Sequence, residues 1–367
     1  MGRYQKYWWV ESARYLVKYG NIFSGLRRVG KTTLMFQIID ELLNNKKVDP
    51  YYILYFSFDE AKSEGKDILS QYEKEILKDS ISKKERAYLF FDEIQKLEGW
   101  PEKIKVVYDL YPNVKIFLSG SAAIDIKKGT RESLAGRFFE FHIEPLDLDE
   151  YLDFKGVKID KEREDIFEVE IKRYLEEFLR IGGFIEAMKF EEVQLDKYFK
   201  EGLLERVIYR DLPDVFPVGS PDLLYRLIRL CAERPGMYLD YKNIANDLGY
   251  DQRTIASYFS YLEYALLIKK LYNYSSNLLT SEKKMKRVYF SNTAFTLALS
   301  RETEQSLLME QFFVNLFQPK FFSRTPQKEE VDIVIVTKDK IVPVEVKIKS
   351  DIKEREVRPL FMFLAKY

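Results

Sequence analysis

Residues 25–32 read Gly-Leu-Arg-Arg-Val-Gly-Lys-Thr, two glycines separated by four residues and followed directly by a lysine and a hydroxyl side chain. Few local structures need that spacing. Gly25 and Gly30 let the backbone turn tightly around an anion, so that successive N–H groups point inward, those of Arg28, Val29 and Thr33 among them. Lys31 brings a cation to the β and γ phosphates of a nucleotide, and Thr32 offers its hydroxyl to Mg²⁺. The stretch Thr33 to Leu43 is helical in pattern and closes on Asn44 and Asn45, which delivers the phosphate to a helix N-terminus.

The surroundings of this loop are those of an α/β layer. Between Ile22 and Ile143, apolar runs of strand length alternate with helical patterns, as in a mostly parallel sheet covered on both faces. The expected strands are Asn21 to Ser24, Ile53 to Phe58, Ala87 to Phe91, Val114 to Leu118 and Phe138 to Ile143. The third of them runs into Asp92 and Glu93. Asp92 is expected to hold Mg²⁺ through its water shell, and Glu93 to polarise the water that attacks the γ-phosphate. A small-molecule kinase must keep water out and needs no such base, so the pair favours hydrolysis of ATP over transfer to a small molecule. The fourth strand enters Ser119-Gly120-Ser121. Ser119 is the first choice for a residue that senses the γ-phosphate and Ser121 the second; the bland reading of both is a turn residue.

Other chemistries are poorly supplied. The 367 residues contain one cysteine, Cys231, and one histidine, His142, too few soft ligands for a protein zinc site and no basis for a disulfide. Fifty-nine basic residues balance fifty-nine acidic ones, which removes the global basic field of a protein that coats nucleic acid. No apolar run approaches the length of about 18 residues that crosses a bilayer, and no signal peptide is visible, so the expectation is a cytoplasmic protein without a membrane partner.

The rest of the chain turns helical from Asp149 to Asp211, with Ile171, Leu175, Phe178 and Leu179 at helical spacing, and a boundary falls near Pro213, Pro217, Gly219 and Pro221. Asp240 to Leu248, a turn at Gly249 and Tyr250, and Asp251 to Leu262 form a helix-turn-helix pattern with Asp251 as N-cap. Leu267-Ile268 and Val288 to Phe290 then supply wing strands. The second helix offers Gln252, Arg253, Thr254, Ser257 and Tyr258 to a DNA groove, and the wing carries Lys283, Lys284, Lys286 and Arg287. DNA contact and protein contact both remain open, since winged helices serve either use.

Near the end, Asp332 lies on one strand and Glu345 and Lys347 on the next, with Glu310 on a preceding helix. That is the spacing of restriction-type nucleases, in which two acids hold Mg²⁺ and a lysine orients water. Residues two apart on a strand face the same way, so Glu345 and Lys347 are expected to share a site. Only 20 residues follow Lys347. The expectation is a nuclease-like fold with an uncovered sheet edge, its acids open to water and weak or inactive as an enzyme.

GLRRVGKTTL, YLFFDEIQKLEGW, KIFLSGSAA, LAGRFFEFHIEPLDLDEYL, IGGFIEA and EEVDIVIV followed by VPVEVK together resemble archaeal and bacterial ATPases of the AAA type that carry a C-terminal domain of unassigned function. The resemblance implies ATP and Mg²⁺ as ligands and places Arg137, in LAGR, near the nucleotide end of the sheet. There it would act as an arginine finger within the chain or across the interface of a homo-oligomer; the alternative is a surface ion pair. Arg131 is the alternative donor. Arg27 and Arg28 either touch phosphate or face solvent. The expected architecture is an α/β P-loop NTPase sheet over residues 1–148, a helical connector over 149–215, a winged helix over 216–290 and a small nuclease-like α/β module over 291–367. Three functions fit: an ATPase that drives or switches DNA- or protein-binding modules, an ATP-dependent nuclease, and an ATP-binding interaction module with little turnover.

Overall fold

Each strand expected between Asn21 and Ile143 is present in the computed structural model, with bounds that move by one residue at most: β1 Gly20–Ser24, β2 Ile53–Ser57, β3 Ala87–Asp92, β4 Val114–Ser119 and β5 Phe138–His142. The structure describes residues 19–59, 68–120, 134–157, 164–349 and 351–367. It divides into two units, one comprising residues up to Pro145 with Asp153–Gly156, the other Leu146–Leu152 with Val157–Tyr367.

In the first unit all five strands run parallel in the order β2-β3-β4-β1-β5. The inner strands β1, β3 and β4 are buried almost throughout because both of their faces are covered. One face packs Ile22, Leu89, Phe91, Ile116 and Leu118 against Trp100 and Ile104 of helix α2, Trp100–Leu110; helix α1, Lys31–Asn44, buries Leu34, Met35 and Ile38. Phe90 points the opposite way from Leu89 and Phe91 and stacks on Phe117, ring centroids 4.5 Å apart. β5 closes the order as an edge strand, with Phe139 44% exposed. The insertion of β4 between β1 and β3 brings the ends of three strands to one place: Ser24, Asp92 and Ser119 all finish at the carboxyl edge of the sheet.

The second unit begins with helices α3 Leu148–Phe154, α4 Glu164–Ile181 and α5 Glu192–Phe199, continued by helical turns as far as Val215. Gly182 ends α4 at φ 59°, and a Cβ there would lie 1.9 Å from the side chain of Asn292, which donates to the Gly182 carbonyl at 2.8 Å. Only glycine fits so close an approach. Next come α6 Pro221–Glu233, β6 Met237–Tyr238, α7 Tyr241–Leu248 and α8 Gln252–Tyr264. Gly249, at φ 74°, makes the turn between α7 and α8. Asp251 occupies the N-cap position of α8, but its side chain makes no capping hydrogen bond.

The remaining elements include β7 Ile268–Asn273, β8 Lys286–Phe290, α9 Thr293–Leu299, α10 Gln305–Phe317, β9 Phe321–Arg324, β10 Glu330–Val336, β11 Ile341–Val344 and α11 Glu354–Lys366, with a short helix, Leu278–Lys283, between β7 and β8. Strands on both sides of residue 290 form a single sheet in the order β11-β10-β9-β7-β8-β6. All pairings are antiparallel except that of β7 with β9. The hairpin read as a wing is therefore an inner part of this sheet, with β7 held between β8 and β9. Leu271, Tyr289, Val314, Phe322 and Ile333 form its core, and Phe363 of α11 joins Tyr274, Val331 and Val334. Among the described residues no helix is long and apolar enough to cross a membrane.

Candidate nucleotide-binding site

The chain leaves β1 at Ser24 and turns immediately. Gly25 adopts φ 148°, and a Cβ on it would stand 2.2 Å from the Ile143 carbonyl oxygen, so the first glycine is required by the close passage of the chain after β5. Arg28 takes a left-handed conformation at φ 67° and is exposed, whereas Val29 is buried and can offer a ligand only its backbone. Gly30 precedes α1 at φ 99°. No side chain caps the N-terminus of α1 and its first turn carries no acid, so its positive end suits an anion. Thr33, in that turn, is exposed. Lys31 is buried at 5% exposure, and its ammonium donates to the carbonyls of Leu26 at 2.7 Å and Gly25 at 3.2 Å, inside the curve of the loop.

Asp92 is the centre of the polar group. Its Oδ2 accepts from the Thr32 hydroxyl at 2.6 Å and the Tyr55 hydroxyl at 3.0 Å, while Oδ1 accepts from the Ser119 hydroxyl and from the Glu93 amide at 3.1 Å. Four donors on one buried carboxylate fix its plane. Glu93 has a left-handed backbone, φ 53°, that turns its side chain away from the line of β3, and Gln95 donates to its Oε2 at 2.7 Å. Hydroxyl and carboxylate oxygens this close are the hard donor set that suits Mg²⁺. The loop, Thr32, Asp92, Glu93 and Ser119 are thus gathered at one sheet edge.

Arg137 is not among them. It precedes Phe138, which pairs with Gly20 at the opposite end of β1, and its guanidinium is engaged by Asp109 at 3.0 and 3.2 Å. The expectation of Arg137 beside the nucleotide within this chain is corrected: in a parallel sheet the residue before a strand stands at the edge away from the loops that follow the strands. The Asp109 hydrogen bonds raise its pKa above the usual value. The residue of β5 at the nucleotide edge is His142, whose Nδ1 lies 3.4 Å from Ser24 Oγ and whose Nε2 is 3.7 Å from Glu144. Ser121 and Arg131 lie outside the described residues. Tyr55 and His142 were both missed, because only the strand order brings β2 beside Asp92 and β5 beside the loop.

Residues 19–152 match the family model of an AAA domain. Residues 172–306 match a second model, described as a domain of unknown function (DUF8612). An uncharacterised protein of Methanocaldococcus jannaschii is 27% identical over 350 residues, 92% of this chain and 77% of the relative. A second protein of that organism is 32% identical over 279 residues, and the chain spans only 56% of its length. A Walker-type ATPase of Pyrococcus abyssi has a similar structure at a TM-score of 0.44 and 16% identity, over 79% of this chain and 93% of that one.

In the second unit, the C-terminal acids come together around a cation of the chain itself. Arg287, on β8, is 6% exposed and donates through Nε to the Gly236 carbonyl at 2.8 Å. Its other nitrogens lie 2.7 Å from Glu310, 3.1 Å from Glu330 and 3.7 Å from Asp332. Tyr289 donates to Glu310 and Tyr238 to Glu330. Asp332 accepts from the Val346 amide at 3.0 Å, and Lys347 lies 2.6 Å from Glu345, so Glu345 and Lys347 do share a site with Asp332 beside them. Among the described residues, however, no three acidic, histidine or cysteine side chains are placed to hold one metal ion.

Three expectations change here. The acids are not open to water, because β8 and α10 close over them; the Glu345 side chain is 10% exposed and that of Asp332 14%. Burial pushes Glu310 up to about 7 despite Arg287, and raises Asp332 and Glu345 as well. Arg287, read as a phosphate contact on the wing, is instead consumed by these acids. Tyr258 of α8 is likewise buried, and its hydroxyl accepts the Ser220 amide at 3.0 Å. Gln252 and Arg253 remain exposed, and Lys284 and Lys286 partly so. The side chain of Lys283 lies outside the described residues.

Proposed function

We propose that the protein binds ATP with Mg²⁺, hydrolyses it, and uses the nucleotide cycle to switch its C-terminal unit. The observation that carries this reading is the Asp92 carboxylate, joined at once to Thr32 of the phosphate loop and Ser119 of β4, with Glu93 as its neighbour. The loop amides and the end of α1 take the phosphates, and the Lys31 ammonium moves from the Gly25 and Leu26 carbonyls to the β and γ oxygens. Thr32 and Asp92 would hold Mg²⁺, which when bound would neutralise phosphate charge. Glu93, released from Gln95, accepts a proton from water as that water attacks the γ-phosphorus and the bond to the bridging oxygen breaks, leaving ADP and phosphate. Ser119 keeps Asp92 aligned between the two motifs.

The C-terminal unit is read as an output module, not as a second enzyme, because Arg287 already supplies the positive charge among its acids. DNA is kept as one partner class through Gln252 and Arg253 at the start of α8, and a protein is the other.

The test is steady-state hydrolysis and nucleotide binding by the full chain and by Glu93→Gln. The variant should keep ATP and lose turnover by about a hundredfold or more, since an amide cannot take the proton. Comparable turnover by both proteins moves the base elsewhere. Incubation of wild-type protein with single- and double-stranded DNA and RNA, in Mg²⁺ or Mn²⁺, should yield no cleavage. Cleavage that vanishes in both Asp332→Ala and Glu345→Ala would make the protein an ATP-coupled nuclease.

A further inference from the structure

Tyr55 lies on β2, a strand that contributes no residue to either sequence motif, yet its hydroxyl reaches Asp92 Oδ2 at 3.0 Å. It is paired in the sheet with Phe90, two residues short of Asp92, so the length of the phenol spans the difference. The ring packs on Phe36 of α1, centroids 4.7 Å apart, and this fixes its direction. A phenol has one proton to donate, and here it goes to the same carboxylate oxygen that accepts the Thr32 hydroxyl at 2.6 Å.

We propose that Tyr55 is a positioning residue of the nucleotide site, holding the Asp92 carboxylate in place while Thr32 changes partners. This rests on the Mg²⁺-ATP reading above. Thr32 has two calls on its oxygen: it donates to Asp92, and it must present a lone pair to a metal. When it reorients, Oδ2 would keep no side-chain donor if Tyr55 were absent, and only Ser119 and the Glu93 amide, both on Oδ1, would resist rotation of the carboxylate. With Tyr55 present, each oxygen retains a donor throughout. The hydroxyl thereby holds the Asp92 carboxylate in one plane, and the Phe36 contact ties that plane to the helix that carries the phosphate loop.

The experiment compares ATP affinity in Mg²⁺ and in EDTA, by fluorescence of a labelled ATP analogue, for the full-length wild type, Tyr55→Phe and Tyr55→Leu. The ratio of the two affinities should fall by about tenfold in both variants, the loss expected of one hydrogen bond to a charged group. Affinity in EDTA should stay within about twofold of wild type for Tyr55→Phe. Tyr55→Leu should show the same fall in the ratio with an added drop in melting temperature, because it also loses the ring. A ratio unchanged in Tyr55→Phe overturns the proposal, as does a fall confined to Tyr55→Leu, which would assign the effect to packing. A wild type whose affinity ignores Mg²⁺ overturns the Mg²⁺-ATP reading, and the role of Tyr55 with it.

Discussion

The Thr32 hydroxyl donates to Asp92 Oδ2 at 2.6 Å although 60 residues of chain separate the two. The contact joins the first residues of α1 to the end of β3 across the intervening strand β4, and it does so at the edge where the phosphate loop opens. Asp92→Asn keeps the shape of the side chain but removes its charge, so ATP affinity should fall in Mg²⁺ and change little in EDTA, as a titration in each buffer will read.

Lys31→Ala should lower ATP affinity by at least about tenfold, about 1.4 kcal/mol, because the ammonium is the fixed cation that the loop brings to the phosphates. Calorimetric titration with ATP measures it. A smaller loss would show that the loop is not the phosphate cradle.

Arg137→Ala should leave ATP turnover within about twofold of wild type when assayed at low protein concentration, because the residue stands at the far edge of the sheet. Its contact with Asp109 is solvent-exposed, so the melting temperature should also hold. A turnover that collapses only at high protein concentration would instead indicate an arginine supplied from one subunit to the next.

Arg287→Met should destabilise the C-terminal unit by about 3–5 kcal/mol, since it strands buried carboxylates without their cation. Arg287→Lys should not restore stability, because an ammonium cannot reproduce the fork that reaches Gly236, Glu310 and Glu330 together. Urea unfolding followed by circular dichroism distinguishes the three proteins.

Lys115 lies in the first unit on β4, where its ammonium meets the Tyr19 carbonyl and the Asn21 side chain at 3.1 Å. Burial lowers its pKa to about 8, with Arg86 adding to the effect. Between that value and its usual 10.5, the folded chain has released a proton that the unfolded chain still holds, so stability rises with pH through this window. The cost of burying the charge is full below about 8 and relieved above 10.5. Denaturation of wild type and Lys115→Met from pH 7 to 10 should therefore show the wild type gaining on the variant, by up to about 3 kcal/mol. A constant difference across the range would mean that Lys115 keeps its charge when folded.

The sequence by itself determined the local pieces: the glycine-spaced loop, the helix that follows it, the five parallel strands to within a residue, and the carboxylates at the end of Ala87–Asp92. These follow from short-range causes, since a buried parallel strand favours a mostly apolar run and a loop around phosphate needs glycines at set places. The tertiary structure alone decided which ends meet. Strand order made Tyr55 a ligand of Asp92 and put His142, not Arg137, at the nucleotide edge; register along a parallel strand fixes which edge a residue occupies, and no local pattern encodes it. It also turned the expected wing into the middle of a six-stranded sheet, and carried Arg287 from a presumed phosphate contact into a buried ring of acids. An arginine on an alternating strand reads the same whether it faces water or a carboxylate, and only the neighbours that fold against it settle the matter.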